Sequence, residues 1–321
     1  MKRLVLATAF LSFGARAECR LFADMPGPED IATDAAGNRA FITSQNRRDA
    51  KEAGGVFVYD LDDASPAPRR MQGEMPPGFH PLGLSFVRDG GRDYLFAANY
   101  PTPNTSRIER FEVRGEELVH LESLESPQLI RPNDLHAVGA NEFYVTLDHG
   151  VRELWKVVLE EAVYLRRGAV LHYRDGKFTK AVAKLGLPNG LTLSPSGDRM
   201  YVGSSMNKRL EIYAREGDAW KIEKRLKLPG MVDNLSWDGE GRLYAAVHTN
   251  KLGYVGHFLS PKAPPSPSLI LRVDLESGAY ETVFADKGKN VAAASVGAPL
   301  GDRLLVGSVF GPAIADCPLK P

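Results

Sequence analysis

The sequence predicts an all-β chain folded as a six-bladed propeller with one inserted amphipathic helix. Two observations carry this reading. A polar turn followed by an alternating apolar strand recurs six times, and further β-like pieces follow several of those strands before the next turn.

The chain begins with Lys2 and Arg3, runs through an apolar stretch from Leu4 to Phe13, and reaches Ala15-Arg16-Ala17. A positive start, a short apolar run and an A-x-A site predict a secretory signal over residues 1–17, too short to favour a membrane span. Residues 18–321 are then one domain, secreted or periplasmic. The cysteines are Cys19 and Cys317, at the two ends of that domain. Export makes a disulfide between them chemically reasonable, and the bond requires the first and last segments to meet. Forty Lys plus Arg against forty Asp plus Glu leave no net charge. Composition therefore gives no support for a nucleic-acid partner.

The six units are GNRAFITS, GRDYLFAAN, GANEFYVTL, GDRMYVGSS, GRLYAAVHT and GDRLLVGSV, centred on Phe41, Leu95, Tyr144, Tyr201, Tyr244 and Leu305. Their centres lie 43 to 61 residues apart, room for about four short strands and their turns per unit. Segments 55–59, 107–111, 209–213 and 270–274 supply the next strand. Radial repetition leaves only short, protected edges and creates a central channel, whereas a β-sandwich does not account for six similar units. The stretch SPKAPPSPS, residues 260–268, is expected to be a surface excursion between two strands. Val151, Leu154, Trp155, Val158 and Ala162 recur at helical spacing among charged residues. They predict an amphipathic helix whose apolar stripe packs on the propeller, with a peripheral membrane or protein contact through residues 151–164 as the alternative. The chain is otherwise expected to be a monomer.

Four short patterns precede recurrent strands: PED with Glu29-Asp30, RPND with Asn133-Asp134, LPNG with Asn189, and MVDN with Asp233-Asn234. Glu29, Asn133, Asn189 and Asp233 precede their strand centres by 12, 11, 12 and 11 residues. Equal placement in radially arranged blades sends these side chains toward one central region. Ca2+ accepts mixed carboxylate, amide, carbonyl and water oxygens, while Mg2+ demands tighter octahedral geometry. Glu29, Asn133, Asn189, Asp233 and Asn234 are the expected ligands of an exposed axial calcium. Asp30 and Asp134 would hold a second, deeper ion. Taken singly, Asn-Gly and Asp-Asn are ordinary turn formers; their repetition at a near-constant offset is what points to coordination.

The segments PEDIATDAAGNRAFI, FHPLGLSF, RPNDLHAVGANEFYVTLDHG, LPNGLTLSPSGDRMYVG, LPGMVDNLSWDGEGRLYAAVH and LLVGSVFGPAIADC resemble the serum paraoxonase and arylesterase family. More distantly they resemble the gluconolactonase and senescence-marker-protein propellers. The resemblance implies two calcium ions, one catalytic at Glu29, Asn133, Asn189, Asp233 and Asn234, and one structural at Asp30, Asp134 and the carbonyl of Leu84. It also implies a Cys19–Cys317 bond, and a helix near the active-site rim at residues 151–164. One departure stands out. Where the family presents two histidines proposed to activate water, this chain has Leu82 and Tyr100. Leucine exchanges no proton, and tyrosine at its ordinary pKa is a poor base.

The resulting expectation is hydrolysis of a small lactone or carboxylic ester, with calcium stabilising negative charge on the carbonyl oxygen as water adds. Asn133 and Asn189 would coordinate or orient oxygens, Asp233 would accept the proton, and His248 and His149 are alternative acid–base groups. Phe79, Tyr100, Trp155 and Phe310 could line a pocket for an aryl leaving group. Phosphotriester hydrolysis is a subsidiary reading. A noncatalytic, calcium-stabilised exported propeller that binds a ligand or assists folding is the reading from outside enzymology.

Overall fold

Each recurrent strand becomes the second strand of a four-stranded antiparallel sheet, and six such sheets make the propeller. The computed structural model describes residues 19–34, 36–49 and 51–319. The expected leader over residues 1–17 lies outside the described residues. The second strands are Arg39–Ser44, Arg92–Thr102, Glu142–Leu147, Arg199–Ser204, Leu243–His248 and Arg303–Ser308. Inside them run the innermost strands Pro28–Thr33, Pro81–Asp89, Pro132–Gly139, Pro188–Leu193, Met231–Trp237 and Ala294–Leu300.

The core lies between the blades. Alternation along the second and third strands sends apolar side chains to both faces of each sheet, where they meet the neighbouring blade. Tyr144, Val170 and Leu185 of blade three, for example, pack with Leu191, Met200, Val202 and Trp220 of blade four. The ring closes in blade six, where the short N-terminal strand Arg20–Phe22 pairs with the last strand, Ile314–Pro318. Cys19 and Cys317 are disulfide-bonded there, with Cα atoms 4.2 Å apart. Beside them the fully buried Asp316 accepts hydrogen bonds from Arg20 (2.6 Å), Arg303 (2.6 Å) and Tyr59 (2.8 Å). Three donors are what make a carboxylate tolerable at such depth.

Among the described residues two short helices depart from β structure: α1, Leu154–Ala162, and α2, Lys251–Leu259. α1 falls within the expected span, but its apolar stripe does not pack as expected. Val157 and Glu160 are its buried residues, whereas Leu154, Trp155 and Val158 are 68%, 67% and 60% exposed. The reason is polar: Glu160 turns inward to accept from the Gly150 N–H at 3.2 Å and to meet Arg167 at 3.4 Å, which sets the rotation of the helix. α2 was not expected, and it corrects the reading of residues 260–268, which lead out of a helix rather than a strand. Its N-cap Asn250 accepts from the Gly253 N–H at 2.9 Å, satisfying one free donor of the first turn. Leu252, Phe258 and Leu259 of α2 are exposed as well. Lys251 reaches Glu161 of α1 at 4.0 Å, so the two helices adjoin.

Candidate metal centre and active site

The innermost strands carry the site, and a local irregularity aims its side chains. Every innermost strand shows a register shift against its partner: Pro28/Ile31, Pro81/Leu84, Pro132/Leu135, Pro188/Leu191, Val232/Leu235 and Ala294/Val296. A bulge inserts an unpaired residue and re-aims its side chain. Four of these shifts open on a proline, whose missing N–H suits the first position of a strand. The residues inside the shifts are Glu29-Asp30, Leu82-Gly83, Asn133-Asp134, Asn189-Gly190, Asp233-Asn234 and, in blade six, Ser295. The fixed offset in the sequence is therefore a run of bulges around one axis.

The glycines at two of these positions are required by close approach. A Cβ on Gly83 would meet the Asn133 carbonyl oxygen at 2.4 Å and Asp134 Oδ1 at 3.0 Å. One on Gly190 would meet the Asp233 carbonyl oxygen at 2.5 Å. Across blades one to four, Asp30, Gly83, Asp134 and Gly190 thus alternate aspartate with glycine, so that the carboxylates fit into the narrow axis.

Glu29 Oε2, Asn133 Oδ1, Asn189 Oδ1 and Asn234 Oδ1 are buried with no hydrogen-bond donor among the described residues. Buried acceptors are normally satisfied, so four bare oxygens within the shifts of four innermost strands fit an oxygen-ligated cation. Among the described residues no three His, Cys, Asp or Glu side chains form a metal-holding group by themselves, and the donor set rests on amides. Burial raises the Glu29 carboxyl to about 8; Arg47 opposes this, and Asp30 and Asp233 add to it. Burial likewise lifts Asp30 to about 6, against hydrogen bonds from the Leu84 and Ile31 N–H groups. Asp134 is also held well above the usual carboxylate range by burial and by Asp30. Crowded carboxylates of this kind are what a divalent ion neutralises.

Asp30 and Asp134 line a cavity of about 140 Å³ on the axis, together with Leu84, His136, Leu191 and Thr192. The Leu84 N–H donates to Asp30 Oδ2 and the Leu191 N–H to Asp134 Oδ2, each at 2.6 Å. Thr43 and Thr146 accept from the Asp30 and Asp134 N–H groups. A larger cavity of about 660 Å³ lies at the rim beside Cys19 and Cys317, far from these oxygens. The chemistry follows the convergent polar atoms and not the volume.

Above the ring, His248 Nε2 lies 2.7 Å from Asp233 Oδ2, with both side chains buried. The His248 ring packs on Tyr254 of α2 at 4.3 Å, and its Nδ1 has no partner. His149 Nδ1 is 2.9 Å from Asp148 Oδ1, which also accepts from Arg131, and His149 Nε2 faces Glu161 of α1 at 3.5 Å. Burial disfavours the His149 charge, but Asp148 and Glu161 outweigh it and push the imidazole up to about 9. His149 is therefore a cation at neutral pH and is not poised as a base. The Tyr100 hydroxyl donates to the Pro132 carbonyl at 2.6 Å, and burial pushes its pKa upward. Leu82 packs against the core between blades two and three.

Two expected aromatic contacts are not made at the mouth. Phe79 is core between blades one and two, and Trp155 stands in solvent. Phe310 instead packs against His257 and Phe258 of α2. Sequence reasoning also missed Arg47 and Tyr254, which crowd Glu29 and Asp233. Nothing in SQNRR or KLGYVG separates them from ordinary surface residues.

The family described as Arylesterase matches residues 34–319. The chain belongs to the arylesterase family. It is 30% identical over 267 residues to serum paraoxonase/arylesterase 2 of Bos taurus, a match spanning 80% of this chain and 75% of the relative. Serum paraoxonase/lactonase 3 of Homo sapiens is 29% identical over 311 residues, spanning 91% and 86%. A solved gluconolactonase structure from Xanthomonas campestris superposes with a TM-score of 0.58 at 17% identity, covering 95% of this chain and 92% of that one. At that identity the structural likeness speaks to the propeller alone. Within this arylesterase-family chain, the oxygen-bearing ring and the Leu82 and Tyr100 departures therefore sit on one well-defined frame.

Proposed function

We propose that this protein is an exported, calcium-dependent hydrolase of lactones or carboxylic esters. The observation that carries the reading is the set of four buried, donorless oxygens on Glu29, Asn133, Asn189 and Asn234, beside Asp233. Membership of a family whose members are named as arylesterases and lactonases supports the reaction class. These five residues would hold one calcium ion, and Asp30 and Asp134, with the Leu84 carbonyl, a deeper one. When bound, the exposed ion would polarise the substrate carbonyl and stabilise developing negative charge. Asp233 would take the proton of the attacking water on a carboxylate oxygen not committed to the ion and return it to the leaving alkoxide, while His248, 2.7 Å from Oδ2, would hold that carboxylate in place. Asn133 and Asn189 orient oxygens at the ring, while protonated His149 with Asp148 keeps the adjoining wall rigid. The leader over residues 1–17 directs the chain to the periplasm or the exterior.

The test is turnover of chemically distinct lactones, phenyl acetate and a phosphotriester, with calcium and after its removal, alongside metal analysis of dialysed protein. Calcium-dependent turnover of a lactone or ester is expected. No turnover of any substrate, or no retained calcium, overturns the reading. Leu82 and the tethered Tyr100 favour a second reading, a noncatalytic calcium-stabilised propeller. Retained calcium without turnover, together with a stable complex with an exported protein, would select it. The contact through residues 151–164 also remains a proposal, supported by the exposed Leu154, Trp155 and Val158. Liposome flotation of the parent and of Trp155→Glu measures it.

A further inference from the structure

Arg47 follows the second strand of blade one and turns into the mouth of the axis. Its Nη1 donates to Gln45 Oε1 at 2.8 Å and its Nη2 to the Pro81 carbonyl at 3.1 Å. Glu29 Oε2 is 3.9 Å from Nη2, close enough for charge attraction and too far for a hydrogen bond. Nε is buried and has no partner among the described residues. A guanidinium carries five N–H donors in a rigid fork, so more than half of this one is uncommitted. The turn is held from outside as well. The adjoining Arg48 donates to the carbonyls of His257 and Phe258 at the end of α2 and lies over the Phe310 ring at 4.7 Å. Arg47 is thus a fixed cation facing Glu29, Asp233, Tyr100 and Tyr254.

Charge balance indicates what such a cation is for. Glu29, Asp30, Asp134 and Asp233 are the buried carboxylates on the axis. Two divalent ions would neutralise all four. Arg131 and protonated His149 are matched by Asp148 and Glu161. Among the described residues Arg47 then has no uncommitted counter-charge, and a cation deprived of water at a low-dielectric mouth favours an anionic ligand. Arginine meets carboxylates with paired, charge-assisted hydrogen bonds.

We propose that Arg47 is a specificity-determining residue that binds the carboxylate of a ligand at the axial mouth. The ring-opened hydroxy acid, which the proposed hydrolysis itself makes, is a ligand of this class. The inference rests on the calcium-loaded hydrolase reading, but it needs binding rather than turnover to be tested.

The experiment is calorimetric titration of the calcium-loaded protein with γ-hydroxybutyrate and, separately, with its neutral amide. Arg47→Met and Arg47→Lys are compared with the parent, and calcium content and melting temperature are measured for each. The parent is expected to bind the carboxylate roughly tenfold or more tightly than Arg47→Met does. Arg47→Lys is expected to fall between them, because it keeps the charge and loses the fork. The amide is expected to bind all three alike. Equal carboxylate binding by the parent and both variants overturns the inference, as does no detectable binding to the parent. Should Arg47→Met not fold, the comparison of the parent with Arg47→Lys decides. Lactone turnover without Arg47-dependent carboxylate binding sinks this inference alone. Arg47-dependent binding without turnover of any ester sinks the hydrolase reading alone.

Discussion

Replacing Cys317 with alanine removes the covalent closure of the propeller while leaving its paired strands in place. The disulfide joins residues 298 apart in sequence. The loop-entropy relation gives about 5 to 6 kcal/mol for a loop of that length. Residual structure in the unfolded chain reduces the effect, so a loss of about 3 to 5 kcal/mol is expected. The alternative closure is weak: a strand of three residues, Arg20–Phe22, and an ion pair from the half-exposed Arg20 to Asp316. Alanine is the better substitution because Cys317 is buried among Tyr244, Val306 and Ala315, where a serine hydroxyl would add its own desolvation cost. The assay is equilibrium denaturation at fixed calcium, with the parent measured oxidised and reduced. The reduced parent and Cys317→Ala should agree within about 1 kcal/mol, both well below the oxidised parent. Oxidised and reduced parent proteins of equal stability would refute the argument that the bond closes the ring energetically.

Asn189→Ala should lower kcat/KM on the order of 100-fold while the melting temperature changes little, because one bare oxygen of the ring is lost without a hydrogen bond being broken. Asp30→Ala should instead destabilise by about 3 kcal/mol in denaturation, since it strips the acceptor from the Leu84 and Ile31 N–H groups. Comparable effects of the two on both readouts would argue against separate exposed and deep sites. Gly83→Ala should cost about 1 to 3 kcal/mol, because its Cβ meets rigid backbone of the adjacent blade, and should weaken calcium retention on dialysis. For His149, the folded pKa of about 9 lies above the ordinary 6.5. Its pairing with Asp148 and Glu161 therefore stabilises fully below about pH 6.5 and is lost as the pH rises through about 9. The stability difference between the parent and His149→Gln, measured across that window, should shrink with rising pH; a constant difference would contradict it.

The repeating strands were legible because each second strand is buried on both faces and opens from a polar turn. Phe41, Leu95, Tyr144, Tyr201, Tyr244 and Leu305 all lie on the second strands that their pattern predicts. The candidate ligands were legible for a related reason: a bulge falls at one fixed place per blade, and Glu29, Asn133, Asn189 and Asp233 recur there at a near-constant offset. α1 was read correctly as a helix and wrongly as a packed one. Helical spacing identifies a stripe, but it does not say that Glu160, with Gly150 and Arg167 as partners, will turn inward in place of Leu154 and Trp155. α2 was hidden because its two glycines, Gly253 and Gly256, weaken the helical signal, and its N-cap acts through one asparagine.

By itself, then, the amino-acid order determined the blade count, the meeting of the two chain ends at the cysteines, and the residue types offered to the axis. These depend on local periodicity and turn chemistry, which repeat along the chain. Only the tertiary structure decided which groups meet beside that axis: Arg47 against Glu29, His248 against Asp233, and Tyr254 over the His248 ring. Each pair lies within or beside one blade, 18, 15 and 6 residues apart in sequence, and its chemistry depends on burial and on distances of a few ångströms, neither of which any local pattern encodes.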